Sequence, residues 1–157
     1  MADKDVAYMV RTRDYYRAQD YGSDYQWAHH SDVPFASLTK PVSESRVVVI
    51  TTSMPDDEVS KKMRCVVSTP CVPAPRAMFT DDLSWDKEFT HTNDVPSFLP
   101  IEQLQQLEKE GVIGALATRF HSVPTEYSKR NTVENDAPEL MARCQQDEVD
   151  LAVLVPL

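Results

Sequence analysis

Apolar residues fall along this chain in three kinds of run. Arg46 to Thr52 reads Arg-Val-Val-Val-Ile-Thr-Thr, continuous and β-branched, bounded by Ser and Pro. Leu151 to Val155 is a second continuous run, and Val112 to Ala117 a shorter third. A strand apolar on both faces belongs inside a parallel sheet covered on both sides, so the first and last runs are expected in its middle. Pro100 to Glu110 has a different period. Ile101, Leu104 and Leu107 form a helical stripe, Pro100 suits the first turn, and Gly111 suits the left-handed residue after the last. A further helix is expected from Asp136, with Asp136 as N-cap, Glu139 three residues on, and Leu140, Met141 and Cys144 facing inward. Val6 to Ala18 is expected to be helical, with Tyr8, Arg11, Tyr15 and Ala18 along one side and Gly22-Ser23 ending the segment. Between the first strand and Pro100 the chain is polar and Pro-rich. Residues 63–69 are expected to add one short strand there.

The order is strand, irregular excursion, helix, strand, helix, strand. It predicts an α/β fold: a mainly parallel open sheet with flanking helices. A length of 157 residues suits one domain, with residues 1–32 as an aromatic and polar lead-in. No apolar run approaches the length of a membrane span, and the charged first residues do not form a secretory signal, so a cytoplasmic protein is expected. Sixteen basic against 25 acidic residues give a net charge of −9, and the basic ones are scattered. That argues against nucleic acid and an anionic membrane as partners, and leaves a small molecule or another protein.

Gly occurs three times, at 22, 111 and 114. This leaves no glycine-rich phosphate loop, no dinucleotide fingerprint and no Gly-x-Ser-x-Gly elbow of a hydrolase. His29-His30 lacks the spacing of a zinc site, and neither a metal nor a cofactor is expected. Cys65 and Cys71 could be a local pair or two unpaired thiols, whereas Cys144 reads as core packing on its helix.

Several segments in order resemble the selenoprotein B family of glycine, sarcosine, betaine and D-proline reductases. They are Val33-Pro34-Phe35-Ala36-Ser37-Leu38-Thr39-Lys40-Pro41 leading to Arg46–Thr52; Trp85-Asp86 with Thr90-His91-Thr92-Asn93-Asp94; Leu99-Pro100 through Gly114; Asp136-Ala137-Pro138-Glu139; and Asp150 to Pro156. The resemblance covers about residues 33–157. It implies a subunit of a thiol- or selenol-dependent oxidoreductase with a disulfide as acceptor, working on a small amine or amino-acid-like substrate with other reductase subunits or a thiol donor. In that family the last strand leads into a selenocysteine or cysteine, two residues, then a cysteine. The chain is therefore expected to stop just short of its redox motif, with coding sequence continuing through an in-frame UGA, and to be inactive in this form. A non-catalytic binding or complex-forming protein of the same fold is the alternative. His91 is expected as a proton donor oriented by Asp94, and His121 as a second acid/base group. Thr92, Tyr127 and Arg130 are expected at the substrate, Arg130 gripping a carboxylate. An exposed last strand would also favour self-association.

Overall fold

The computed structural model of the chain describes residues 7–24, 26, 29, 31–34, 36–80, 91–126 and 128–157. It divides into two compact units, Met1–Ala36 and Ser37–Leu157. In the first, α1 (Tyr8–Ala18) buries no residue. Tyr8 and Tyr15, expected on one side of the helix, are both exposed. From its last turn, Arg17 donates to both carboxylate oxygens of Asp24, at 2.9 and 2.5 Å.

The second unit holds a five-stranded, mostly parallel sheet with helices on both faces, as the apolar runs predict. Its centre is β1 (Arg46–Thr51), whose last five residues are buried. On one side β1 pairs in parallel with β5 (Ala115–Leu116) through its first residues, and with β6 (Arg119–Ser122) through its last. These two short strands form a single interrupted row. Beyond β6 lies β3 (Val67–Pro70), antiparallel. On the other side of β1 runs β7 (Leu151–Val155), parallel over its whole length. A separate two-stranded pair joins β2 (Met54–Pro55) and β4 (Met78–Phe79).

Alternation along β1 divides the core. Val47 and Val49 face α2 (Ile101–Lys109) through Ile101 and Leu104, with Phe120 and Met78 in the same cluster. Val48 and Ile50 face α4 (Ala137–Gln146) through Leu140 and Cys144. Gly111 ends α2 with φ at +70°, the conformation glycine adopts without a Cβ penalty.

Four sequence expectations change. The last strand is not central: among the described residues β7 pairs only with β1, and its Ala152 and Leu154 are exposed. Their apolar character reflects one packed and one open face. The strand expected at 112–117 shrinks to two residues, and a second strand follows it, so His121 lies inside β6 and not after a strand. The helix expected from Asp136 starts earlier, at α3 (Lys129–Asn131), and passes through a wide π turn at Thr132–Asp136. Asp136 is helical and caps nothing with its side chain, because Arg64 holds its carboxylate. Finally, Met141 points out and is exposed, while Leu140 and Cys144 pack inward as expected. Among the described residues no helix is long and apolar enough to cross a membrane.

Candidate functional site

The crossover from β1 reaches β5 by way of α2 on one face. The crossover from β6 reaches β7 by way of α4 on the other. Adjacent strands whose outgoing connections leave for opposite faces open a crevice at their carboxyl ends. Here that crevice lies beyond β1 and β6. It contains a cleft of about 280 Å³ walled by Ile50, Val123, Pro124, Leu140, Leu154 and Pro156, with Thr51, Thr52 and Asp136 as its polar members.

The polar groups of this rim are held firmly. Thr51 and Ser53, both buried, share a hydroxyl contact of 3.0 Å where β1 ends. Thr52 Oγ1 accepts from Leu157 N at 2.8 Å and ties the end of β7 to the end of β1. The Arg64 guanidinium donates to both oxygens of Asp136, at 3.1 and 2.8 Å, and also pairs with Glu126. The Asp136 side chain is only 6% exposed, and this fork leaves its charge compensated where water is scarce. A neighbouring, more polar cleft of about 210 Å³ lies past Pro124, lined by Lys61, Lys62, Arg64 and Thr125.

The residues expected to act together are not gathered at this crevice. His91 and Asp94 are exposed, on the segment leading to α2. The His91 ring nitrogen Nδ1 accepts from Asn93 N at 3.3 Å, and the Asp94 carbonyl accepts from Ser97. Thr92 between them is half-buried. That segment packs its Val95, Phe98 and Leu99 on the α2 face. His121 points the other way. It pairs in register with Ile50, whose side chain faces α4, and it is fully buried. Arg130 is exposed on α3, and Tyr127 lies outside the described residues.

Around His121 the sheet and α4 enclose a polar chain that the sequence did not reveal. Ser68, its cross-strand partner on β3, sits with Oγ 2.9 Å from His121 Nδ1. Arg143 reaches from α4 and donates to the same Oγ at 2.6 Å. On the other side of the ring, His121 Nε2 faces Asp147 Oδ2 at 3.7 Å, beyond hydrogen-bond range. Nε2 has no hydrogen-bond partner among the described residues. Asp147 itself accepts from Arg119 Nε at 2.7 Å.

Burial lowers the pKa of His121, and Arg119 lowers it further, partly offset by Asp147. The unfolded chain then takes up a proton near the ordinary value of 6.5, where the folded chain does not. Stability is therefore full above that pH and falls as the pH drops below it. Urea midpoints of the wild type should decline from pH 7.5 to 5, with a shallower slope in His121→Gln. Parallel slopes in the two proteins would contradict this.

The three cysteines are unpaired. Cys71 is 2% exposed, and burial pushes its thiol up to about 11. Because the thiolate is the nucleophile, native Cys71 should resist iodoacetamide at pH 8 and react only after denaturation, as mass spectrometry of the alkylated peptide would show. Burial also raises Cys144. Among the described residues no group of three His, Cys, Asp or Glu side chains is placed to hold a metal ion.

Sequence reading missed Arg64, Ser68 and Asp147, and took Asp136 for a cap. No local pattern marks them: Arg64 and Asp136 are 72 residues apart, and Ser68 and His121 are 53. The chain matches no family model, no curated protein and no solved structure.

Proposed function

We propose that this chain is the substrate-binding α/β portion of a cytoplasmic thiol- or selenol-dependent reductase of the selenoprotein B type, an oxidoreductase with a disulfide as acceptor. The cleft at the carboxyl ends of β1, β6 and β7 supports this reading most directly. Its apolar wall suits the carbon skeleton of a small molecule. The redox group of this reaction comes from outside Cys65, Cys71 and Cys144. None of these is paired, and the thiols of buried Cys71 and half-buried Cys144 are raised away from the reactive form. Other reductase subunits or a thiol donor supply the electrons.

The unpaired cysteines also favour a second reading, a non-catalytic binding protein of the same fold. Titration calorimetry of the full chain with glycine, sarcosine, betaine and D-proline tests what the two share. Saturable binding of at least one is expected, weakened at least about tenfold by Leu140→Trp, which fills the cleft. No binding by any of the four would sink the substrate assignment. Reductive turnover after reconstitution with a dithiol donor and partner subunits separates enzyme from binder.

A further inference from the structure

The polar chain through His121 has the parts of a base-activated nucleophile, assembled without the local motif that usually announces one. Arg143 is always a donor, so Ser68 Oγ accepts from it. With Ser68 O–H directed to His121 Nδ1, Nε2 carries the ring proton and faces the Asp147 carboxylate. This is the order carboxylate, imidazole, hydroxyl that recurs on unrelated folds and is recognised by geometry, not by sequence position. The ring is reversed relative to the serine-protease arrangement, with Nδ1 on the hydroxyl. The 3.7 Å gap to Asp147 leaves a buried imidazole N–H unpartnered and aimed at the carboxylate, a costly state for a purely structural ring. Catalytic hydrogen bonds are often long in the unliganded state.

Access differs along the chain. His121 is fully buried, whereas Ser68 lies half-buried on β3, an outer strand of the sheet, under the side chain of Arg143. That guanidinium also pairs with the exposed Glu139, which anchors it beside the Ser68 hydroxyl.

From this arrangement we propose that Ser68 is a nucleophile for acyl transfer, with His121 as its general base, Asp147 as the group that stabilises the imidazolium, and Arg143 as the donor to the developing oxyanion. The substrate class is a small carboxylic ester. Ser68 Oγ forms a bond to the acyl carbon while His121 Nδ1 takes the hydroxyl proton. The carbon–oxygen bond to the alcohol then breaks and the proton passes to the leaving alkoxide. Water, activated by the same imidazole, hydrolyses the acyl-serine to the carboxylic acid and restores the hydroxyl. The proposal stands independently of the reductase reading.

A fluorophosphonate probe tests it on the full chain. It reacts by forming a Ser68 Oγ–phosphorus bond as fluoride leaves. The expected result is one label per folded chain, located at Ser68 by peptide mass spectrometry. The label should be absent from Ser68→Ala, which removes a single oxygen, and should form at least about 100-fold more slowly in His121→Gln. p-Nitrophenyl acetate should be hydrolysed with the same dependence on both residues. Should His121→Gln fail to fold, labelling the wild type before and after denaturation keeps the test decisive: Ser68 must react in the native chain and stop reacting when unfolded. A folded chain left unlabelled, a label that survives Ser68→Ala, or equal labelling of native and denatured protein would overturn the proposal.

Discussion

Phe120→Ala is expected to cost about 3–5 kcal/mol of folding stability. Phe120 has no exposed surface. It sits on β6 between β1 and β3, and its ring joins the cluster that holds Val47 and Val49 of the sheet, Ile101 and Leu104 of α2, and Met78 of β4. Truncation removes the transfer energy of an aromatic side chain and leaves a void that strands on both sides cannot fill by moving. A domain of this size has a net stability of roughly 5–15 kcal/mol, so a large share of the margin would go. Urea unfolding followed by circular dichroism checks it: the midpoint should fall sharply with the slope unchanged. A loss below about 1 kcal/mol would mean that this face of the sheet is not packed as described.

Gly114→Ala is the second. A Cβ at position 114 would stand 2.4 Å from the Glu44 carbonyl carbon, 2.7 Å from Ser45 N and 2.8 Å from Glu44 Cα. All three are backbone atoms, so no rotamer relieves the clash. The same approach lets Gly114 N donate to Val42 O at 3.1 Å and Ser45 O at 3.0 Å, aligning the entry of β5 with the start of β1. The substitution must pull these segments apart, and about 3 kcal/mol is expected. Gly111→Ala makes the internal comparison. Gly111 has open space around its Cβ position but a φ of +70°, so only the left-handed penalty of about 1 kcal/mol applies. Paired denaturation curves should rank the two variants in that order, and the reverse ranking would refute the close approach at Gly114.

Much of the fold was legible because it depends on local spacing. The β-branched run became β1, the stripe of Ile101, Leu104 and Leu107 became α2, and Gly111 took the left-handed turn. The edge strand β3 was only partly visible. Its Val67-Ser68-Thr69-Pro70 is short and polar, and it is a strand because β6 lies beside it, not because of its own propensity. The break between β5 and β6 was invisible too. The crevice could be expected in general, at the carboxyl ends of parallel strands, but its lining could not. Asp136 looked like a helix cap from its neighbours in sequence, and only Arg64, far away along the chain, decides what its carboxylate does.

The sequence alone determined the principal elements α1, β1, α2, α4 and β7, their order and the α/β class, since each follows from an apolar run, a helical period or turn chemistry within a few residues. Tertiary structure decided the rest: that β7 lies beside β1 with one face open, that His121 turns towards α4 while His91 and Asp94 sit on the α2 segment, and that Ser68, His121, Arg143 and Asp147 meet. The reason is physical. An apolar run shows that a strand will be buried but not on which side or against which neighbour, and a polar side chain acquires its role only when folding brings a partner from tens of residues away and removes the water between them.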